Sequence, residues 1–410
     1  MQLEPNPVAN PGPIPHLYVH VPFCPTICPF CSFHVLRRRD DLVEAYLSRL
    51  DAELAMTAER WPDRGPLETV YLGGGTPSHL TDAELGRLLA SIRRRFAVND
   101  DAEIGIEVHP LNVGPDRPAR WRDLGFTRVS VGVQSTQDPV LRTLGRPHDA
   151  ATALRALESV RSVDGWTVNA DLIVAVDGQD VAADLHRLAA TGVDHLAAYT
   201  LTVEEGTPFG RRGVSVEEEA ERRAIELAAE ILPGYGLARY EVSNHARDGH
   251  RCAHNLAYWR GRSWFGAGPS ATASLPATAG TAGTAGTAGT AGGRRLVRNP
   301  PLEDWLAGAA PEEEPLEALE VLRVRLLTGL RLAEGIDEAV LAAPHETLVV
   351  GPPDRSSEGP ADPTMLAELH AVRARIENLC DQGRLQRRDG RLVVPAGEVV
   401  VLERLLAELW

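Results

Sequence analysis

Short apolar runs alternate with amphipathic stretches from Leu17 to about Gly236. LYVHV (17–21) predicts a buried strand. Residues 41–59 predict a helix, because Leu42, Ala45, Tyr46, Leu50 and Leu54 fall on one stripe. TVYLGG (69–74) predicts a strand that ends in glycines. Residues 81–96 predict a second helix, opened by Thr81 with Glu84 three positions on, the pattern of a capping box. EIGIEV (103–108), RVSVGV (128–133), TVNADLIV (167–174) and HLAAYTL (195–201) predict four more strands, each followed by a helical stretch. Six strands alternating with helices imply a parallel βα repeat, hence an α/β fold and an open or closed barrel. In such folds the chemistry gathers where the strands end.

The periodicity changes beyond this core. Residues 277–293 repeat Ala, Thr and Gly without apolar spacing, which predicts a disordered loop that adds nothing to a core. Residues 316–332 and 363–382 predict helices on either side of a Pro/Gly/Ser-rich stretch (351–363). RLQRRDGRLVVP (384–395) predicts a hairpin around Asp389-Gly390. Helix, helix, hairpin and a terminal helix suggest a small winged-helix-like module. The chain therefore divides into a flexible N-terminus (1–12), a (βα)6 core (13–236), an extension carrying the repeat (237–300) and a C-terminal α+β domain (301–410).

Composition narrows the function classes. Net charge is −15 over 410 residues, and no strong basic run is visible in the C-terminal domain. Affinity for nucleic-acid phosphates needs clustered Lys and Arg, so a nucleic-acid partner is not expected. No run of about 18 apolar residues predicts a membrane span, and the N-terminus lacks the order of a secretory signal. Five cysteines, three of them inside eight residues, do not resemble a disulfide framework. A reducing, cytoplasmic setting fits.

Those three, Cys24, Cys28 and Cys31, follow the first strand with spacing Cys-x3-Cys-x2-Cys. Three thiolates on one short loop can each hold one corner of a [4Fe–4S] cubane, which leaves the fourth iron open to a chelating cofactor. The amino and carboxylate groups of S-adenosylmethionine (SAM) suit that iron. The alternative is a zinc knuckle with His20 or His34 as fourth ligand. Cys252 and Cys380 stand alone. Gly73-Gly74-Gly75-Thr76-Pro77 follows the second strand, where glycines let backbone approach a ligand closely. Glu107, Gln134 and Asp171 lie at or near later strand ends, and a buried carboxylate there needs a partner.

These residues together resemble the oxygen-independent coproporphyrinogen III oxidase family of radical SAM proteins, the HemN/HemW-like group. YVHVPFCPTICPFCSF (18–33), YLGGGTPS (71–78), SVGVQS (130–135), LGRPH (144–148), AYTLTVEEGTPF (198–209), YEVSNHA (240–246), HNLAYW (254–259) and GLRLAEGID (329–337) carry the likeness. The resemblance implies a partial (βα)6 TIM-like radical SAM barrel with a C-terminal winged-helix-like domain. It implies that Tyr18 packs on the adenine side of SAM and that Gly74, Gly75 and Thr76 meet the methionine part. Phe30, Glu107, Gln134, Arg146 and Asp171 complete the binding of one or two SAM molecules. A flavodoxin- or ferredoxin-type electron donor is implied as partner.

Departures from the family pattern shape the expectation of function. Phe33 stands where the true oxidase has a fourth cysteine, which argues against coproporphyrinogen III dehydrogenation. The haem-chaperone branch reads Glu-Ala-Asn-Pro and Gly-Leu-Pro-Gly-Gln, where this chain has Glu107-Val108-His109-Pro110 and Ala175-Val176-Asp177-Gly178-Gln179. Altered strand ends on a retained scaffold suggest a new substrate. The expectation is a class C radical SAM methyltransferase that uses two SAM molecules to methylate an sp2 carbon of a natural product in antibiotic biosynthesis, such as an azole of a modified peptide. His109 or Asp177 would act as its general base. The alternative is a haem chaperone that binds haem and SAM.

Overall fold

The computed structural model describes residues 13–276, 294–341 and 363–410. Residues 1–12, the repeat at 277–293, and 342–362, which take in all but the last residue of the Pro/Gly/Ser-rich stretch, lie outside the described residues.

The six predicted strands are present as β1 (His16–Val21), β2 (Leu67–Gly74), β3 (Val98–Val108), β4 (Arg128–Gln134), β5 (Thr167–Val174) and β6 (His195–Thr200). They pair in parallel and in chain order. Strands of a parallel sheet are covered on both faces, so they read as near-continuous apolar runs. β1 follows that rule, with only Tyr18 not fully buried. α1 (Asp40–Arg60), α2 (Asp82–Arg95), α3 (Arg117–Leu124), α4 (Ala150–Arg161) and α5 (Val181–Ala190) cover the outside. The capping box at Thr81 forms, with the Thr81 side chain on the Glu84 amide and the Glu84 carboxylate on the Thr81 amide. Basic residues 93–95 in the last turn of α2 complement its dipole.

The extension completes the sheet. After α6 (Glu218–Ile231) come β7 (Ala238–Arg239) and β8 (Asn244–Ala246), and β8 runs antiparallel against β6. α7 (Ala253–Trp259) leads to β9 (Phe265–Ala267), which pairs in parallel with β1. The nine-stranded order is β9-β1-β2-β3-β4-β5-β6-β8-β7, an open barrel. β10 (Thr272–Pro276), β11 (Arg294–Arg298) and β12 (Glu312–Leu316) form a small antiparallel sheet in which Pro276 faces Arg294, the residues flanking the repeat.

The C-terminal domain has its own apolar core, built from residues such as Leu326, Val372, Ile376, Leu392 and Leu405. α8 (Ala318–Gly329), β13 (Ile336–Asp337), α9 (Pro363–Asp381), β14 (Gln386–Arg388), β15 (Arg391–Val393) and α10 (Leu402–Glu408) follow the winged-helix order. Asp389 and Gly390 both have positive φ (51° and 73°), the signature of the primed two-residue turn that their dipeptide predicts.

Two other non-glycine residues in left-handed backbone sit at barrel strand ends, Gln134 (φ 70°) and Ala175 (φ 63°). Left-handed backbone is costly for a residue with a Cβ. At 175 the family pattern quoted above has glycine. Ala175→Gly is therefore expected to stabilise the fold by about 1 kcal/mol. A rise in thermal midpoint checks it; a fall would show that the alanine methyl contributes more in packing than its backbone costs.

Candidate active site

The cysteine loop leaves β1 and lies over the open ends of the strands. Close approach of two loops sets its position. The Gly75 amide donates to Val21 O (2.8 Å) and the Thr76 amide to Phe23 O (2.8 Å). A Cβ on Gly75 would stand 2.8 Å from Val21 O, and one on Gly74 would meet the His20 ring at 2.4 Å in a backbone of φ +102°. These glycines let the second strand's end close on the cysteine loop. Behind them Ser78 Oγ accepts from the His109 amide (3.0 Å), and Arg117 donates to the carbonyls of Ser78, Leu80 and Asn112.

Below the loop lies a cavity of about 500 Å³. Cys24, Cys28, Cys31, Phe30, Gly74, Gly75, Thr76, Glu107, Gln134, Arg146, Asp171 and His109 all line it, so most sequence-selected residues come together. Thr76 Oγ1 donates to Cys24 Sγ (3.5 Å) and Arg146 Nη1 to Cys28 Sγ (3.2 Å). Burial pushes the Cys24 thiol up to about 11.

The carboxylates on the opposite wall carry no ion pair among the described residues. Burial, and then the charge of Asp171, push Glu107 up to about 8; it accepts from the Gly74 amide (3.2 Å). Burial also lifts Asp171 to about 6, against hydrogen bonds from Ser130 Oγ (2.8 Å) and Asn169 Nδ2 (2.7 Å) and the more distant charge of Arg146. A desolvated carboxylate pair without a counter-charge suits a cationic ligand. The buried Nε of Arg146 also has no partner.

Both zinc alternatives for a fourth ligand are engaged elsewhere. His20 Nε2 bonds His34 O (2.9 Å), and His34 Nε2 accepts from the Leu302 amide (3.1 Å). Among the described residues no three His, Cys, Asp or Glu side chains converge on a single metal ion. The arrangement fits a cluster held at separate corners by Cys24, Cys28 and Cys31, with SAM against Glu107 and Asp171. When bound, these groups supply one-electron reductive cleavage of the sulfonium.

Three expectations need correction. Tyr18 does not line the cavity; its ring stacks on His254 (6.4 Å) and its hydroxyl bonds His20 Nδ1 (3.2 Å). His109 reaches the cavity, but its Nδ1 accepts from the Leu111 amide (3.2 Å), so the neutral ring carries its proton on Nε2. Burial, with Arg146 and His148 beside it, lowers it to about 2, which suits a hydrogen-bond donor and not a base. Asp177 is exposed and outside the cavity.

Sequence reasoning missed the deeper wall: Tyr71, Ser130, Asn169, His195 and Asn244. Period two along TVNADLIV places Asn169 on the face of Asp171, a signal that could have found it. It also missed the buttress at Asp184, which accepts from Ser135 Oγ (2.7 Å), the Thr136 amide (2.7 Å) and Gln179 Nε2 (2.8 Å). This ties the loops after β4 and β5 together.

The sequence profile described as Radical SAM superfamily matches residues 18–190. Among curated proteins, the "Heme chaperone HemW" of Mycobacterium tuberculosis (strain H37Rv) is 38% identical over 290 residues, 66% of this chain and 74% of that protein. That of Synechocystis is 32% identical over 351 residues, 80% of this chain and 81% of that protein. The chain belongs to the HemN/HemW-like family of radical SAM proteins. Its fold matches "Coproporphyrinogen III oxidase (HemN) from Escherichia coli" at TM-score 0.74 and 20% identity, over 97% of this chain and 90% of that one. Membership implies the [4Fe–4S] cluster and SAM. The same relatives overturn the methyltransferase expectation, and with it the place in antibiotic biosynthesis and the modified-peptide substrate, because they are named haem chaperones.

Two outcomes follow. Each of Cys24→Ala, Cys28→Ala and Cys31→Ala abolishes the roughly four irons per chain gained on anaerobic reconstitution, whereas Cys380→Ala leaves them; iron analysis checks this. SAM affinity rises with pH. A cation favours the ionised carboxylate, so binding releases a proton wherever Glu107 starts protonated, below about 8. Kd is expected to fall by up to about tenfold per pH unit between about 6 and 8 and to level off above. Glu107→Gln flattens the profile, and equal Kd at both ends in the native chain contradicts this electrostatic reading.

Proposed function

We propose that the chain is a haem-binding radical SAM protein of the HemW type, which holds SAM at the cluster and carries haem. The observation that carries this reading is the likeness to haem chaperones over about two thirds of the chain. Phe33 supports it, since the oxidase pattern places a fourth cysteine there. The cavity mouth supports it as well. Phe33 is 66% exposed and Ile27 46%, and Phe30, Val35 and Leu201 line the same cavity. Exposed apolar side chains around a cleft suit a flat apolar ligand. One SAM suffices for this reading, and an external one-electron donor of flavodoxin or ferredoxin type reduces the cluster. Among the described residues no helix is long and apolar enough to cross a membrane.

Anaerobic titration with haem tests the reading. One equivalent should produce a saturable Soret shift, and Phe33→Asp combined with Ile27→Asp should weaken it about tenfold while cluster iron stays unchanged. Absence of any saturable shift in the native chain overturns it.

A further inference from the structure

A buried line of hydrogen bonds runs from Asp171 to the seat of the C-terminal domain. Asn169 Nδ2 donates to Asp171 Oδ1 (2.7 Å) and to Ser130 Oγ (2.6 Å), and Ser130 Oγ donates to Asp171 Oδ2 (2.8 Å). Asn169 Oδ1 is thereby turned toward His195, and His195 Nδ1 donates to it at 2.6 Å. An inverted amide would set Oδ1 against the Asp171 carboxylate. His195 is 2% exposed, and burial together with Arg128 and two neighbouring histidines holds its ring neutral. With the proton on Nδ1, Nε2 accepts, and Tyr240 Oη donates to it at 2.9 Å.

Every donor in this line points the same way, from Tyr240 through His195 and Asn169 to Asp171. Tyr240 is itself held from the far side. Its carbonyl accepts from the Ala333 amide (2.9 Å), its ring packs with Leu332, and Glu241 bridges Leu332. The line thus runs from the turn between β7 and β8 across β6, β5 and β4, and starts where residues 332–333 of the C-terminal domain, just after α8, meet the barrel.

We propose that His195 and Tyr240 are positioning residues for the SAM site: they fix the amide of Asn169, which aims the two Asp171 oxygens at the bound cofactor. His195 stands almost fully buried in the deeper wall and Tyr240 lies behind it, and both act through Asn169 and Asp171. The inference requires the SAM site and does not depend on haem binding, so a negative haem titration leaves it intact.

A mutant cycle on SAM affinity tests it, using full-length, cluster-loaded protein, equilibrium dialysis and iron analysis. His195→Leu is expected to raise the SAM Kd about tenfold and Tyr240→Phe about threefold, with iron content unchanged. His195→Gln, which can donate to Asn169 and accept from Tyr240, should restore affinity to within about threefold of the native chain. In an Asp171→Asn background, His195→Leu and Tyr240→Phe should add nothing. The proposal is overturned if the losses add to that of Asp171→Asn, if His195→Gln is as damaging as His195→Leu, or if neither variant changes the affinity. Should His195→Leu fail to fold, Tyr240→Phe, which removes one oxygen, decides by the same cycle.

Discussion

Glu107 and Asp171 are held inside the barrel with no cationic side chain paired to either among the described residues, and their desolvation shapes the site around them. Both lie in parallel strands, whose packing keeps water out and whose ends open under the cysteine loop. Burial holds Glu107 close to neutrality in charge, at about 8, until a cation arrives. The glycines at 74 and 75 bring the cysteine loop down over this pair, so that the three thiols and the two carboxyl groups line one volume. A cationic ligand with an amino acid end would satisfy both the cysteine loop's cluster and the carboxylates. Fold, loop approach and electrostatics all meet that one demand.

The barrel was legible because its strands are covered on both faces and therefore read as unbroken apolar runs. The capping box at Thr81 and the Asp389-Gly390 turn were legible because each rests on local backbone chemistry. The three cysteines were legible from spacing. The deep wall was not, since Asn169, His195 and Tyr240 are far apart in the chain and meet only when β5, β6 and β8 pair. The same holds for Asp184, whose role depends on two loops that the sheet brings side by side. Tyr18 was expected on the adenine side of SAM because its contact is equally non-local: His254, far along the chain on α7, stacks against its ring.

The departures at 109 and 175–177 led the functional expectation astray for physical reasons. His109 does face the cavity, but its ring is held by the Leu111 amide as a neutral donor. Asp177 points to solvent, outside the cavity. Ala175 keeps a left-handed backbone in place of the family's glycine, so the turn survives the substitution. Changes that looked like a new active end therefore alter hydrogen bonding and strain at the rim while the carboxylates, arginine and cysteines stay in place. The likeness to haem chaperones is consistent with that retention.

The central claim is that SAM binds the open iron of a cluster held by Cys24, Cys28 and Cys31. Electron–nuclear double resonance on the reduced, reconstituted protein with SAM labelled by 15N at its amino group tests it directly. The account predicts a nitrogen hyperfine coupling that switches with the label, in the native chain. A cluster spectrum that is identical with and without SAM, and carries no label-dependent coupling, would contradict it.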